Sequence, residues 1–449
     1  MSNRTPAPTA PTTRDVMRSL PAARLRSVAP SRRPWFLTSR TDGKPALLQL
    51  LAFGIVPHEA RATAAVQTAE RARSKWLAEH GDEALSDDEL RTLLRSVVAD
   101  SVATARHPLL LGLTSGFDSR PMLHEMHELG LSPALYCYSQ PGNIDYDVVS
   151  WLDARLELGV AFADTRSMSF SLDIYEAHAR TQNPTPIGAG APGWAWALER
   201  LGPTSLLHGY LNDTLTGDNR EKTQGAAKLD DRQAFMARNN PFGLQSEFDA
   251  ALLDALCPSD AVSPERELDL YTQYDLAYRQ ESRIKPLAGG PHEMLYPFND
   301  ARWVGYWLSR PRDERRGQQR WYEFVKTLRS PLFADLEGLE HLQAKELRLA
   351  RKRRFYGHQG TPGILDFSGI SSVLQREPAH PFDLVAVHDA NSSLRATVGE
   401  SLRRLRGRRL VYDSVIDSVQ HRFGRGDHAA GLLVNALITL DVHAEVGAV

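Results

Sequence analysis

The sequence contains only two cysteines, Cys137 and Cys257, far apart and without C-x-x-C spacing. That excludes a Cys-rich zinc site, argues against a disulfide framework, and fits a chain kept in the reducing cytoplasm with both thiols as small buried hydrophobes. An excess of charge of either sign is also missing: 53 Lys+Arg stand against 55 Asp+Glu, a net charge of −2. No global field draws the chain to nucleic acid, an anionic membrane or an acidic partner, so any charge-based function must be local. Long hydrophobic runs are lacking as well. The apolar stretch 46–56 is interrupted by Gln49 and is about half the ~20 residues a membrane span needs.

What is present is globular in composition: 42% hydrophobic and 24% charged residues over 449 positions, room for two or three domains at roughly 150 residues each. Residues 1–36 are rich in Pro, Ala, Thr and Arg, with Asp15 as their one acid, and read as a disordered tail. A transit peptide shares that composition, but Pro6, Pro8 and Pro11 break up the amphipathic helix it needs. Residues 37–105 follow as a small N-terminal region.

Ser86-Asp87-Asp88-Glu89 has the form of a capping box, and Leu90, Leu93, Leu94, Val97, Val98 and Val102 continue at helical spacing. The apolar run 107–113 is of strand length and stops in Thr114-Ser115-Gly116-Phe117-Asp118-Ser119. Beyond it, Met122, Leu123, Met126 and Leu129 fall on one helical face, and Gly130 stands where a helix end favours positive φ. Strands are expected again at 134–139, 160–164 and 204–208, with a helix at 145–158. This alternation predicts an α/β fold: a parallel sheet with helices on both faces. From residue 265 strand signals thin out, and 268–278, 301–308, 320–328, 342–351 and most of the chain beyond 392 read as helical. An α/β core followed by a helical half is therefore expected, with 361–449 as a helical C-terminal extension. The stretch 181–193, with three prolines and three glycines, reads as a loop.

Ligands in parallel sheets bind at the carboxyl ends of strands, where segments 114–119 and 209–217 lie. In the first, backbone N–H groups at a helix N-terminus can converge on a phosphate. Gly116 permits close approach, Thr114, Ser115 and Ser119 supply hydroxyls, and Asp118 offers a carboxylate for Mg²⁺. The same hexapeptide also suits an ordinary strand-to-helix turn capped by Ser119. Further on, Arg348, Arg351, Lys352, Arg353 and Arg354 form a cationic run, a solvated face by itself and an anion clamp if set beside polyphosphate. His178, His208, His292 and His358 share no metal-ligand spacing. Arg403, Arg404, Arg406, Arg408 and Arg409, interleaved with Leu402, Leu405 and Leu410, read as a solvated helix face.

The hexapeptide resembles the S-G-G-x-D-S pyrophosphate loop of the asparagine synthetase family of ATP pyrophosphatases, with Thr114 and Ser115 departing from the first Ser and first Gly. Three later segments match in order, and the resemblance sets the span of the synthetase unit at roughly 106–360. His208-Gly209-Tyr210-Leu211-Asn212-Asp213-Thr214-Leu215-Thr216-Gly217 is similar to S-G-E-G-A-D-E-L-F-G, Tyr296-Pro297-Phe298-Asn299-Asp300-Ala301-Arg302 to V-P-F-L-D-x-R, and Lys352 to Phe355 to K-x-x-F. The resemblance implies a synthetase that adenylates a carboxylate with ATP and Mg²⁺, releases pyrophosphate and passes the acyl group to an amine, as in natural-product or peptide tailoring. It implies ATP and pyrophosphate binding by Thr114, Ser115, Gly116, Asp118, Ser119 and Gly209, metal binding by Asp118 and Asp213, and catalytic roles for Asp213 and Lys352. Thr214 replaces the family's Glu, which leaves the general base unassigned. With Ser2 after Met1 and only a short stretch before the loop, no glutaminase domain is expected.

The expected partners are a small-molecule or peptide carboxylate and an amine, with neither membrane nor nucleic acid, while a homo-oligomer stays open. Two other readings remain at this point: an ATP pyrophosphatase that modifies RNA, and a nucleotide-binding scaffold without catalysis.

Overall fold

The computed structural model describes residues 36–41, 59–141, 144–181, 190–217, 293–315, 318–336, 384–426 and 428–447. Lys352 and its cationic run, Cys257, the expected helices at 268–278 and 342–351, all of the tail 1–36 but its last residue, and 182–189 of the expected loop lie outside them.

The described strands are β1 Leu109–Gly112, β2 Ala134–Ser139, β3 Ala161–Asp164, β4 Ser205–Leu207 and β5 Glu293–Leu295. They form one parallel sheet in the order β3-β2-β1-β4-β5. Helices α1 Glu59–His80 and α2 Asp87–Ala103 precede β1, α3 Ser119–Glu128 follows it, and α4 Ile144–Leu156 follows β2. Between β3 and β4 come α5 Leu172–Thr181 and α6 Gly190–Leu201, and β4 leads into α7 Asn212–Thr216. After β5 stand α8 Ala301–Ser309, α9 Arg312–Arg315 and α10 Gln319–Thr327. The C-terminal region is α11 Leu384–Ala390, α12 Ser392–Arg408, α13 Asp413–Phe423 and α14 His428–Glu445.

Successive strand residues point to opposite faces, and the burial follows that alternation. Leu110, Tyr136, Leu206 and Met294 pack on one face with Ala197 of α6. Leu111, Cys137, Leu207 and Leu295 pack on the other with residues of α2, α3, α8 and α10. A parallel sheet covered on both faces results, followed by a helical C-terminal region. Helices α1 and α2 share the second of these cores, so the N-terminal region and the sheet are packed as one body. Their junction is tight: a Cβ on Gly305 of α8 would stand 2.6 Å from the Ala72 carbonyl oxygen of α1.

Local chemistry sets most boundaries. At Ser86 the capping box closes in both directions, Ser86 accepting from the Glu89 N–H and Glu89 from the Ser86 N–H. Gly130 has φ +73°, the left-handed conformation anticipated at the end of α3. Several elements were not anticipated, α1, α5, α6 and β5 among them. Strand β5 has three residues, Glu-Met-Leu, none of them β-branched, too short for any alternation to register. Helix α6 starts at Gly190, inside the Gly/Pro-rich stretch, because Pro is tolerated in a first turn whose N–H groups have no helical partner.

A separate core forms around α11 to α14, with Leu394, Leu402, Leu437 and Phe423 buried together with Tyr175 of α5. The N-terminal residues join it: Leu37 bridges Val411, and the Thr38 N–H donates to the Leu410 carbonyl at 2.9 Å. Among the described residues no helix is long and apolar enough to cross a membrane.

Candidate functional site

The strand order places β1 and β4 side by side at the centre, with the chain running outward to β2 and β3 on one side and to β5 on the other. The chain leaves their carboxyl ends in opposite directions, the place at which doubly wound sheets form a ligand crevice. Segments 113–118 and 208–211 are the two loops that leave there.

They meet. Asn212 Nδ2 donates to Asp118 Oδ1 at 2.8 Å across 94 residues of sequence. Gly209 lies against the other motif so closely that a Cβ on it would stand 2.7 Å from Asp118 Cβ. Asp118 is the N-cap residue of α3, yet its side chain makes no capping hydrogen bond. A carboxylate in the best capping position that does not cap is turned toward the crevice side instead, onto Asn212.

The hexapeptide is braced from below and from the side. Arg120, fully buried, donates to the Ser115 carbonyl at 2.7 Å, to the Gly116 carbonyl at 3.1 Å and to the Leu332 carbonyl at 2.9 Å. Its guanidinium lies against the stacked pair of the Phe117 and Phe333 rings, at 5.1 and 5.0 Å from their centroids. This puts a buried positive charge directly beneath the loop. The Ser115 N–H donates to Asp145 Oδ1 at 2.9 Å, and the Ser115 hydroxyl donates to the same oxygen. The Gly116 N–H donates to Thr114 Oγ1 at 3.0 Å, and the Thr114 N–H to Ser119 Oγ at 3.3 Å. Ser115, expected to cradle pyrophosphate, thus has both donors on Asp145. Ser119 holds the loop's entrance rather than capping its own helix.

The second motif is strained where the resembled pattern has its second Gly. Leu211 adopts φ +79°, a left-handed conformation that costs an L residue of order 1–3 kcal/mol, and it is buried. Asp213, one residue into α7, is exposed, and Gln318 Nε2 approaches its Oδ1 at 3.3 Å. Thr214 is buried, so the position of the family's Glu faces the interior. Gly217 ends α7 at φ +103°, and a Cβ there would fall 1.9 Å from the Arg315 carbonyl oxygen, leaving no room for another residue.

In the third motif the acid is engaged in structure. Asp300 is the N-cap of α8, accepting from the Arg302 N–H at 2.8 Å, and its carboxylate is bracketed by the Arg302 guanidinium. Arg302 continues to Ser96 and Asp100 of α2. Burial opposes ionisation of Asp300, but these Arg302 hydrogen bonds prevail and hold it below the ordinary carboxylate range. This segment fastens α8 to α2.

Four residues of the site were absent from the sequence reading: Arg120, Asp145, Asn212 and Gln318. Arg120 adjoins the first motif and Asn212 stands within the second, where the resembled pattern has Ala, but nothing in a helix-start Arg or a buried Asn marks a role in sequence. Asp145 and Gln318 are brought in by tertiary structure alone.

Among the described residues no group of three or more His, Cys, Asp or Glu is arranged to hold a metal. Mg²⁺ does not require one, since it binds through one or two carboxylates together with waters and substrate phosphates. Asp118, at the N-cap of α3, and Asp213, in α7, supply carboxylates of that kind. The scan of protein-family models and the search of curated proteins give no match to this chain.

Proposed function

We propose that the chain is an ATP-dependent, amide-forming synthetase that adenylates a carboxylate and transfers the acyl group to an amine. One observation carries the reading: two loops resembling the same family's nucleotide motifs converge at the switch point of a parallel sheet, with Asn212 on Asp118 and Gly209 packed against it. In the proposed reaction the carboxylate attacks the α-phosphorus of ATP, pyrophosphate leaves, and the amine then displaces AMP.

The chain's own work is positioning and charge stabilisation. The first turn of α3 directs N–H groups toward a phosphate, and Arg120 adds positive charge under the loop. Gly209 leaves space for close approach. Asp118 and Asp213 would hold Mg²⁺, which when bound supplies charge neutralisation of the phosphates. Lys352 keeps the role that the resemblance implies, neutralising negative charge as pyrophosphate departs. Acyl donor and amine are of the small-molecule or peptide class.

The test is ATP–pyrophosphate exchange with the purified chain, screened over carboxylic acids with Mg²⁺ present. Exchange that depends on one class of acid is the expected result. No exchange and no pyrophosphate release with any acid would defeat the proposal.

A further inference from the structure

Each of the two site carboxylates is met by a buried carboxamide, and each carboxamide is held in turn by an aromatic donor. Trp303 Nε1 donates to Asn212 Oδ1 at 3.0 Å, and Asn212 Nδ2 donates to Asp118 Oδ1 at 2.8 Å. Tyr322 OH donates to Gln318 Oε1 at 2.7 Å. Gln318 Nε2 then reaches Asp213 Oδ1 at 3.3 Å and Thr216 Oγ1 at 2.7 Å. Asn212, Gln318, Trp303 and Tyr322 are all buried.

Chemistry fixes which way the first amide points. An indole N–H only donates, so the oxygen of Asn212 must face Trp303 and its NH₂ must face Asp118. The Gln318 NH₂ faces Asp213 and the Thr216 hydroxyl, and its oxygen takes the Tyr322 hydroxyl. The two relays join on α7, where the Thr216 hydroxyl donates to the Asn212 carbonyl at 2.7 Å. Backbone strain sits on both: Leu211, next to Asn212, has φ +79° and Gln318 itself φ +61°. Such conformations persist where the surroundings over-determine them.

We infer that Asn212 and Gln318 are positioning residues that aim Asp118 and Asp213 at a divalent cation carrying a polyphosphate, with Trp303 and Tyr322 locking the two amides. The inference rests on the proposed reading of this edge as a nucleotide site. An amide N–H fixes one oxygen of a carboxylate, and with it the direction of the whole group, without cancelling its charge. Partners of this kind set metal affinity, and their loss typically costs 10- to 100-fold.

The experiment titrates the chain with a preformed Mn²⁺–ATP complex, following protein-bound Mn²⁺ by the enhancement of water-proton relaxation. Gln318→Met and Asn212→Leu remove the amides at nearly constant volume, Tyr322→Phe removes only the outer hydrogen bond, and Leu437→Ala destabilises the distant C-terminal core as a control. Gln318→Met and Asn212→Leu are expected to weaken Mn²⁺ uptake on the order of 10- to 100-fold, Tyr322→Phe by a few-fold, and Leu437→Ala not at all. If Asn212→Leu fails to fold, Gln318→Met and Tyr322→Phe decide. Amide variants that bind Mn²⁺ like wild type, while Asp118→Asn and Asp213→Asn lose it, overturn the positioning role and leave the site standing. Amide variants no weaker than Leu437→Ala overturn it equally. Wild type that takes up no Mn²⁺ with ATP, or Asp variants that bind as wild type does, defeats the site reading itself and this inference with it.

Discussion

At the carboxyl edge of the sheet, beyond the ends of β1 and β4, Asp118 and Asp213 accept from the carboxamides of Asn212 and Gln318, whereas among the C-terminal helices the fully buried Asp441 meets the guanidinium groups of Arg404 and Arg408. A guanidinium cancels a carboxylate's charge, while an amide only orients it. Burial pushes the Asp441 carboxyl up to about 6 against the pull of the two arginines, as expected for a charge enclosed to join helices. Backbone strain divides the same way in part: Leu211 and Gln318 flank the sheet edge, while in the C-terminal region Arg409 takes the left-handed conformation as the C-cap of α12. The difference separates a region organised to present charge from one organised to bury it.

Breaking the sheet edge should stop chemistry and spare stability. Asp118→Asn and Asp213→Asn should each lower ATP–pyrophosphate exchange by a factor of at least 10²–10³, with urea midpoints close to wild type, because each removes a charge and no apolar contact. Exchange at wild-type rates in both variants would remove the carboxylates from the mechanism.

Breaking the helical core should do the reverse. Leu437 is fully buried, and Leu437→Ala should cost about 2–5 kcal/mol in urea unfolding. Exchange per folded molecule should stay unchanged, and a parallel loss of activity at temperatures where the variant is fully folded would show that the two regions are coupled.

Gly209→Ala sharpens the comparison at the edge itself. The new Cβ, 2.7 Å from Asp118 Cβ, cannot be absorbed by rotating a flexible side chain, so the two loops must part. A loss of exchange on the order of 10- to 100-fold follows, since small misplacements at a reacting centre are costly. Wild-type kinetics would mean that the loops need not touch.

The smallest effect concerns a carboxylate placed for structure. Glu293 opens β5 and accepts from Ser205 Oγ and from the N–H and guanidinium of Arg106. Burial alone would raise its pKa, but these donors bring it down to about 2. A depressed carboxyl contributes stability above its unfolded value near 4.5 and loses it as pH falls toward about 2. Glu293→Gln should flatten the acid limb of stability between those values and leave exchange at neutral pH untouched.

The contrast between the regions also explains what could be read in advance. The parallel sheet was legible because buried strands such as Leu109–Gly112 are short apolar runs that stop at loop residues, and α2 because Ser86 and Glu89 cap it. The edge loops were legible as motifs. Their supports were not, because Asp145 and Gln318 reach the site only through tertiary packing. The arginine run of α12 shows the same limit. Arg403 pairs with Glu400, and Arg406 with Asp413 and Asp417, as a solvated face should. Arg404 and Arg408, four apart and so on one helical face, turn toward Asp441 and Glu445. Helical spacing pairs these residues with one another, but the acid that they enclose stands on α14, more than thirty positions on.

The claim at the centre is that a nucleotide with its divalent cation binds between the loops that follow β1 and β4. Amide hydrogen exchange of the full chain, followed by mass spectrometry with and without Mg²⁺ and ATP, tests it most directly. The account predicts slowed exchange in peptides covering 113–119 and 208–217, with peptides from α12 to α14 unchanged. No protection at either loop, or protection confined to the C-terminal helices, would contradict it.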